Sequence, residues 1–204
     1  MRIEKLTPSK KHKDVYYLDF EDGSSLRISI NHIADYSLFT GRELTEEEYA
    51  ELRQSAAGWS CMERAYRLIG YRPMSKKELI TKLTDKGEPA ELCERTADRL
   101  QELGIINDSE YAVMIVRHYA AKGYGRMRIK NELYTRGVPK DLWDDALDGL
   151  PDQSETVEKL IEMKLKTDSP DKKELKKLTD FLLRRGFGWD EIRPAINNYI
   201  NEDC

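Results

Sequence analysis

The sequence predicts a mainly α-helical protein: three tandem three-helix repeats in an elongated, curved array, preceded by a small N-terminal β-hairpin or three-stranded sheet with short helices. Three observations carry that prediction. A basic residue followed by glycine recurs at Lys86-Gly87, Arg136-Gly137 and Arg185-Gly186, spaced by 50 and then 49 residues. An apolar residue stands eight positions before each glycine (Leu79, Ile129, Leu178) and a leucine four before (Leu83, Leu133, Leu182), the spacing of one helix face. After each glycine a new helix starts: Glu88-Pro89-Ala90-Glu91-Leu92, Val138-Pro139-Lys140-Asp141-Leu142, and Phe187-Gly188-Trp189-Asp190-Glu191-Ile192, the last with one extra residue. Stacked helical units present extended binding surfaces rather than catalytic pockets.

Residues 1–58 read as a β-rich segment with helices. Residues 15–20 and 26–30 flank Asp22-Gly23, a dipeptide that favours a tight hairpin turn. Residues 2–6 supply a third strand, ended by Pro8. A lone hairpin is marginal in water, so the sheet needs a helical partner. Asn31 caps a short helix through Leu38. Thr45-Glu46-Glu47-Glu48 is a capping box and opens a helix that Gly58 ends, which sets the segment boundary.

The first repeat spans 59–106. A helix over 59–71 stops at Pro73. Ser75-Lys76-Lys77-Glu78 opens the second helix, which Gly87 ends as a left-handed C-cap. Pro89 suits the first turn of the third, which runs to Gly104. The second repeat spans 107–151. Asn107 with Glu110 caps a helix carrying Tyr111, Ala112, Ile115 and Val116 at helical spacing. Gly123 and Gly125 break the chain, residues 126–136 form the next helix and 139–147 the third. Pro151 separates the last repeat, 152–204, whose helices start near Asp152, Ser169 and Trp189, with Ser169-Pro170 as a cap and first-turn proline. A single unit buries too little apolar area to offset its chain entropy. Leu83 and Leu133 are therefore expected to pack across units as well as within them, and Trp59, Trp143 and Trp189 between layers.

Composition narrows the function. Charged residues make up 35% and apolar residues 39% of the chain, so apolar faces exist on a very polar surface. No apolar run is long enough to span a bilayer, and residues 1–5 lack a signal-peptide core. A cytoplasmic protein without a membrane partner is expected. Cys61, Cys93 and Cys204 are scattered and form no CxxC pair. His12, His32 and His118 are isolated from one another and from the cysteines, so neither a metal nor another cofactor is expected. No carboxylate pair is singled out for acid–base work and no Ser or Cys sits in a nucleophile motif, so the protein is read as a non-enzyme.

The net charge of −4 conceals one strongly basic stretch. Between Arg117 and Arg136 stand Arg117, Lys122, Arg126, Arg128, Lys130 and Arg136 against the single acid Glu132, a formal +5. Arg126 and Lys130 are one turn apart and share a face, while Ile129 and Leu133 mark the buried side. Such a patch neutralises phosphates or docks an acidic protein groove. The competing reading is a solvated helix face, but ordinary faces mix signs. Tyr111, Tyr119, Tyr124 and Tyr134 interleave with the cations. Tyr124, read as exposed between two glycines, is the candidate for base stacking; Tyr111 and Tyr134 are expected in the core. Gly123-Tyr124-Gly125 before a helix start is similar to a phosphate-binding turn. No strand precedes it and no Gly-Lys-Ser/Thr follows, so a tight interhelical turn accounts for it better. A second basic group, Lys172, Lys173, Lys176, Lys177, Arg184 and Arg185, is accompanied by Asp171, Glu174 and Asp180. Lys173 and Lys177 either extend the positive ridge or belong to a mixed-sign solvated helix.

Three segments together resemble a known family. Ile106-Asn107-Asp108-Ser109-Glu110-Tyr111-Ala112, Lys122-Gly123-Tyr124-Gly125-Arg126-Met127-Arg128-Ile129 and Glu132-Leu133-Tyr134-Thr135-Arg136-Gly137-Val138 look like the central signature of the RecX family, bacterial regulators of the RecA recombinase. Ser75-Lys76-Lys77-Glu78-Leu79 with Leu83 and Lys86-Gly87 resembles the family's first repeat, and Arg184-Arg185-Gly186-Phe187 with Ile192 its third. The resemblance covers about residues 59–200. It implies a protein of DNA repair, recombination and the SOS response that binds the RecA nucleoprotein filament in its helical groove. There it would modulate, chiefly inhibit, recombinase, ATPase and co-protease activity. Carried over by position, Lys122, Arg126, Arg128, Lys130 and Arg136 are the candidate filament contacts, joined by Arg117, Lys173 and Lys177. Gly87, Gly123, Gly125, Gly137 and Gly186 are structural. A monomer with weak, non-specific DNA binding is expected. The alternative is a DNA-binding regulator acting without RecA, since the helix pairs over 75–100 and 126–147 have helix-turn-helix dimensions.

Overall fold

The computed structural model describes residues 1–165 and 170–201; the expected cap at Ser169 lies outside the described residues. Strands β1 (Ile3–Pro8), β2 (Val15–Phe20) and β3 (Ser25–Ser29) form one antiparallel sheet in the order β1-β2-β3. Gly23 takes φ +81° in the β2–β3 turn, a conformation open to glycine at no steric cost. The third strand expected from residues 2–6 is present and pairs with β2. Ile3, Leu18, Phe20 and Ile28 form the sheet's buried face, closed by Leu38, Leu44, Leu52 and Ala56. The helical partner that the sheet needs is therefore supplied by the chain that follows it.

Helix α1 (Ile30–Asp35) starts directly from β3. Its N-cap is Ser29, not Asn31: the Ser29 amide at the strand end donates to Nδ1 of His32 at 3.2 Å. Helix α2 (Glu46–Tyr71) opens with the expected capping box, Thr45 accepting from the Glu48 amide at 3.1 Å and Glu48 from the Thr45 amide at 2.9 Å. The break expected at Gly58 is absent, and α2 is one helix of 26 residues. A glycine inside a helix costs only about 1 kcal/mol. Buried Leu52 and Ala56 before it and Cys61 and Ala65 after it anchor both halves. Helix α3 (Lys76–Thr84) is closed by a turn in which Gly87 takes φ +87° and its amide donates to the Thr84 carbonyl at 2.9 Å. Helix α4 (Ala90–Glu102) uses Pro89 as N-cap rather than as a first-turn residue. Its Thr96 hydroxyl donates to the buried Cys61 sulfur at 3.4 Å, and burial raises the Cys61 thiol pKa against that bond.

The chain divides into two compact units, Met1–Arg72 with Leu79–Leu103, and Pro73–Glu78 with Gly104–Cys204. The dividing line falls inside α3. In the second unit, α5 (Asp108–Ala121), α6 (Arg126–Thr135), a short 3-10 turn (Lys140–Leu142) and α7 (Trp143–Asp148) form the middle repeat. Its core is Tyr111, Ala112, Ile115, Val116, Ile129, Leu133, Val138, Ala146 and Leu147. Leu133 thus packs within its own repeat. Helices α8 (Ser154–Lys164), α9 (Lys172–Arg185) and α10 (Trp189–Asn201) enclose a separate core around Val157, Ile161, Leu178, Leu182, Phe187 and Ile192. The N-cap of α9 is Asp171, which accepts from the amides of Lys173 and Glu174 and forms a capping box with Glu174.

Candidate functional site

The basic stretch lies on α5 and α6, and the ends of α6 determine which of its groups stay open. Gly125 is the N-cap of α6 and has no side chain with which to cap it. The end of α9 does so instead: the Gly125 amide donates to the Arg185 carbonyl at 2.9 Å and the Met127 amide to the Gly186 carbonyl at 3.0 Å. A Cβ on Gly125 would run into the Gly186 backbone, and one on Gly186 into the Arg128 backbone. The positive end of one helix dipole thereby meets the negative end of another. The same joint recurs at the other end of α6. The Ser75 hydroxyl donates to the Arg136 carbonyl at 2.6 Å while accepting from the Glu78 amide at 3.0 Å. The Lys76 amide donates to the Asp108 carboxylate at 2.9 Å. A Cβ on Gly137, at φ +69°, would lie 3.1 Å from that of Lys77. The Gly123-Tyr124-Gly125 turn thus has its first amides engaged by carbonyls, which accounts for it as an interhelical turn.

The cations of the stretch have different surroundings. Arg117, Lys122 and Arg126 are exposed and Lys130 is half-buried. Arg128 pairs with Glu132 at 3.0 Å and stands over the Tyr124 ring at 6.0 Å. Arg136 points inward. Its Nη1 donates to the Tyr111 hydroxyl at 3.2 Å and its Nη2 to the Tyr119 hydroxyl at 3.3 Å, and its Nε lies 3.7 Å from Glu132. The Tyr119 bond raises the pKa of the guanidinium above its ordinary value, against the cost of burial. Arg136 is a clamp on α5 rather than an open contact. Arg185, at the matching place in the third repeat, donates from Nη1 to the carbonyls of Lys122 and Gly123 at 2.9 Å each. Both arginines beside the recurring glycines therefore lock the middle repeat.

The aromatic residues correct the reading of the sequence. Tyr124 is half-buried, not exposed. The guanidiniums of Arg185 and Arg128 lie over its ring at 5.2 and 6.0 Å, and Tyr119 packs against it at 5.6 Å. These neighbours crowd the ring, so Tyr124 is not the free platform that its place between two glycines suggests. Tyr134, expected in the core, is 69% exposed. It neighbours buried Leu133, and one residue along a helix turns about 100° away from the core face. Tyr134 follows Arg126 and Lys130 at i+8 and i+4, so the three share one face of α6. That spacing was the signal by which Tyr134 was recognisable. Trp189, expected between layers, is 62% exposed, because α10 buries Ile192 and Ala195 instead. Trp143 is half-buried and donates to the Val138 carbonyl at 3.0 Å.

Lys173 and Lys177 are exposed one turn apart on α9. Among the described residues, no three His, Cys, Asp or Glu side chains cluster to hold a metal ion, and no helix is long and apolar enough to cross a membrane.

Comparison with known proteins bears on these same residues. Family models match residues 61–100 (RecX, first three-helix domain), 107–147 (RecX, second three-helix domain) and 152–196 (RecX, third three-helix domain). The regulatory protein RecX of Chlorobaculum tepidum is 35% identical over 147 residues, covering 71% of this chain and 91% of that protein. The regulatory protein RecX of Finegoldia magna is 25% identical over 206 residues, covering 98% of this chain and 100% of that protein. Two crystal structures share the fold. One, of a regulatory protein RecX, has a TM-score of 0.73 at 21% identity over 96% of this chain and 98% of that one. The other, of RecX from Lactobacillus salivarius, has a TM-score of 0.64 at 24% identity over 71% and 97%. The residues that recur across the three repeats thus lie in matched domains, and the chain belongs to the RecX family of regulatory proteins.

Proposed function

We propose that this chain regulates RecA by binding the RecA–DNA filament in its helical groove and inhibiting recombinase, ATPase and co-protease activity. The family's regulatory role supports the reading. The observation that carries it is the open face of α6, where Arg126, Lys130 and Tyr134 stand together. Arg117 and Lys122 on and just after α5 add exposed positive charge. Arg128, Lys173 and Lys177 are the further contacts, whereas Arg136 acts by holding α6 against α5. Interface hot spots favour arginine and tyrosine on a rigid element. The mechanism is occupancy: the bound protein bridges neighbouring protomers and obstructs partner DNA or co-protease substrates. It acts as a cytoplasmic monomer, without chemistry of its own and with only weak, non-specific affinity for free DNA. A helix-turn-helix regulator is disfavoured by charge: the helix that would enter a DNA groove is α4 or α7, and α7 reads Trp-Asp-Asp-Ala-Leu-Asp.

The test is double charge reversal, Arg126→Glu with Lys130→Glu, with filament binding and DNA binding measured separately. Loss of filament binding with DNA binding intact identifies a protein-facing patch. The parent protein should suppress DNA-dependent ATP turnover and strand exchange by RecA. An absence of effect at saturating protein and low salt would sink the reading.

A further inference from the structure

The other unit contains a second basic surface. Between the sheet and α2 lies a cleft of about 440 Å³ whose lining includes Tyr17, Arg27, Arg64, Arg67, Tyr71 and Lys86. Its construction follows from periodicity. Arg64, Arg67 and Tyr71 recur at three and four residues along α2 and share a face. Across the cleft, Tyr17 on β2 and Arg27 on β3 are directly paired in the antiparallel register, so both point to the same side of the sheet. The cations are positioned rather than loose. The Arg27 guanidinium lies 4.7 Å over the Trp59 ring and pairs with Glu63 at 2.6 Å. Arg67 lies 3.5 Å from the same Glu63 and its side chain is 55% exposed. Lys86 occupies the place that Arg136 and Arg185 hold in the later repeats. There the basic side chain is turned inward; here it is exposed and lines the cleft.

Charge and aromatic content define the ligand. Among the described residues, four cations line the cleft with one carboxylate, Glu63, and Glu88 pairs with Arg64 at 3.1 Å. A preorganised guanidinium binds phosphate oxygens with two parallel bonds. Tyr71 is 79% and Tyr17 40% exposed, which provides two ring faces beside the positive charge. An acidic peptide would use the cations and leave both rings idle. A duplex keeps its bases stacked on one another and offers none to the rings. We propose that this cleft binds a single-stranded nucleic acid segment, with Arg27, Arg67 and Lys86 on the phosphodiester backbone and Tyr71 and Tyr17 against the bases. The site operates without RecA and without the α6 face, so it goes beyond the proposed filament contact.

The experiment uses the full chain and a fluorescein-labelled single-stranded oligothymidylate, with anisotropy followed across a salt series in the absence of RecA. Replacing Arg67 and Lys86 together by alanine removes two phosphate contacts. The slope of log affinity against log salt should shrink by about 1.4. Tyr71→Ala should weaken binding about tenfold, and Tyr71→Phe, which keeps the ring face, should not. Tyr71 is too exposed for its removal to disturb a core, so this variant tests the site even where the double variant melts early. Unchanged binding by Tyr71→Ala overturns the proposal. So does a loss confined to the Arg126→Glu, Lys130→Glu protein, which would place the strand on α6. A polyglutamate peptide that displaces the strand and binds parent and Tyr71→Ala equally would identify the cleft as an acidic-protein site and also overturn it.

Discussion

The amide of Gly125 donates to the carbonyl of Arg185 at 2.9 Å, so a helix of the second repeat begins on the end of a helix of the third. Ser75 and Arg136 repeat this arrangement one unit earlier, with a side-chain hydroxyl as donor. Helix α9 carries its own Asp171–Glu174 capping box. The recurring glycine therefore has two tasks in the later repeats: to turn the chain left-handed and to admit a neighbouring helix. In the first repeat only the turn remains, since a Cβ on Gly87 would meet nothing within 4 Å.

That difference is measurable. Gly87 and Gly186 have nearly the same φ, +87° and +89°. Gly87→Ala should cost only the left-handed backbone penalty, about 1–2 kcal/mol. Gly186→Ala adds the collision with the Arg128 backbone and should cost a further 1–3 kcal/mol or so. Urea unfolding of both proteins decides it, and equal losses would refute the joint.

Arg136 and Arg126 should separate stability from binding. Arg136→Ala removes two bonds to tyrosine hydroxyls and should destabilise the protein by about 1–3 kcal/mol. Arg126→Ala touches an exposed group and should change stability by no more than about 0.5 kcal/mol. Chemical denaturation of the two variants side by side is the check.

Tyr134→Ala should leave the melting curve in place, since its ring is 69% exposed. On the proposed filament reading it should weaken filament binding by about 1–2 kcal/mol, a loss typical of an interface aromatic. Filament affinity equal to that of the parent would remove Tyr134 from the contact face.

Asp108 gives a pH dependence. Burial raises its pKa, against the opposing bond from the Lys76 amide. A raised carboxyl pKa means that the folded state holds the proton longer than the unfolded state. Its contribution is therefore full below the ordinary carboxylate value of about 3.9 and is lost as pH rises through the folded pKa. The stability difference between Asp108→Asn and the parent should shift in favour of Asn over that window and become level above it. A difference independent of pH would contradict the assignment.

The repeats, the Asn107 cap, the left-handed glycines and the sign of the middle stretch were legible in the sequence because each is local. A capping box, a left-handed glycine and a run of like charges depend on residues within a few positions of one another. Apolar spacing likewise identified Ile129 and Leu133 as core, and Asp22-Gly23 identified the hairpin. Other features depended on groups distant in the chain. Gly58 looks like a helix end, yet packing on both sides of it holds α2 continuous. Arg126 and Arg136 are the same residue type on one helix, but Tyr111 and Tyr119 turn Arg136 inward. Tyr124 between two glycines looks free until Arg185, from the next repeat, covers its ring. Sequence alone determined where most of the helices run and which stretch carries the excess positive charge. Only the tertiary structure decided which cations and rings remain open, because a side chain is engaged or free according to partners that folding brings to it from far along the chain.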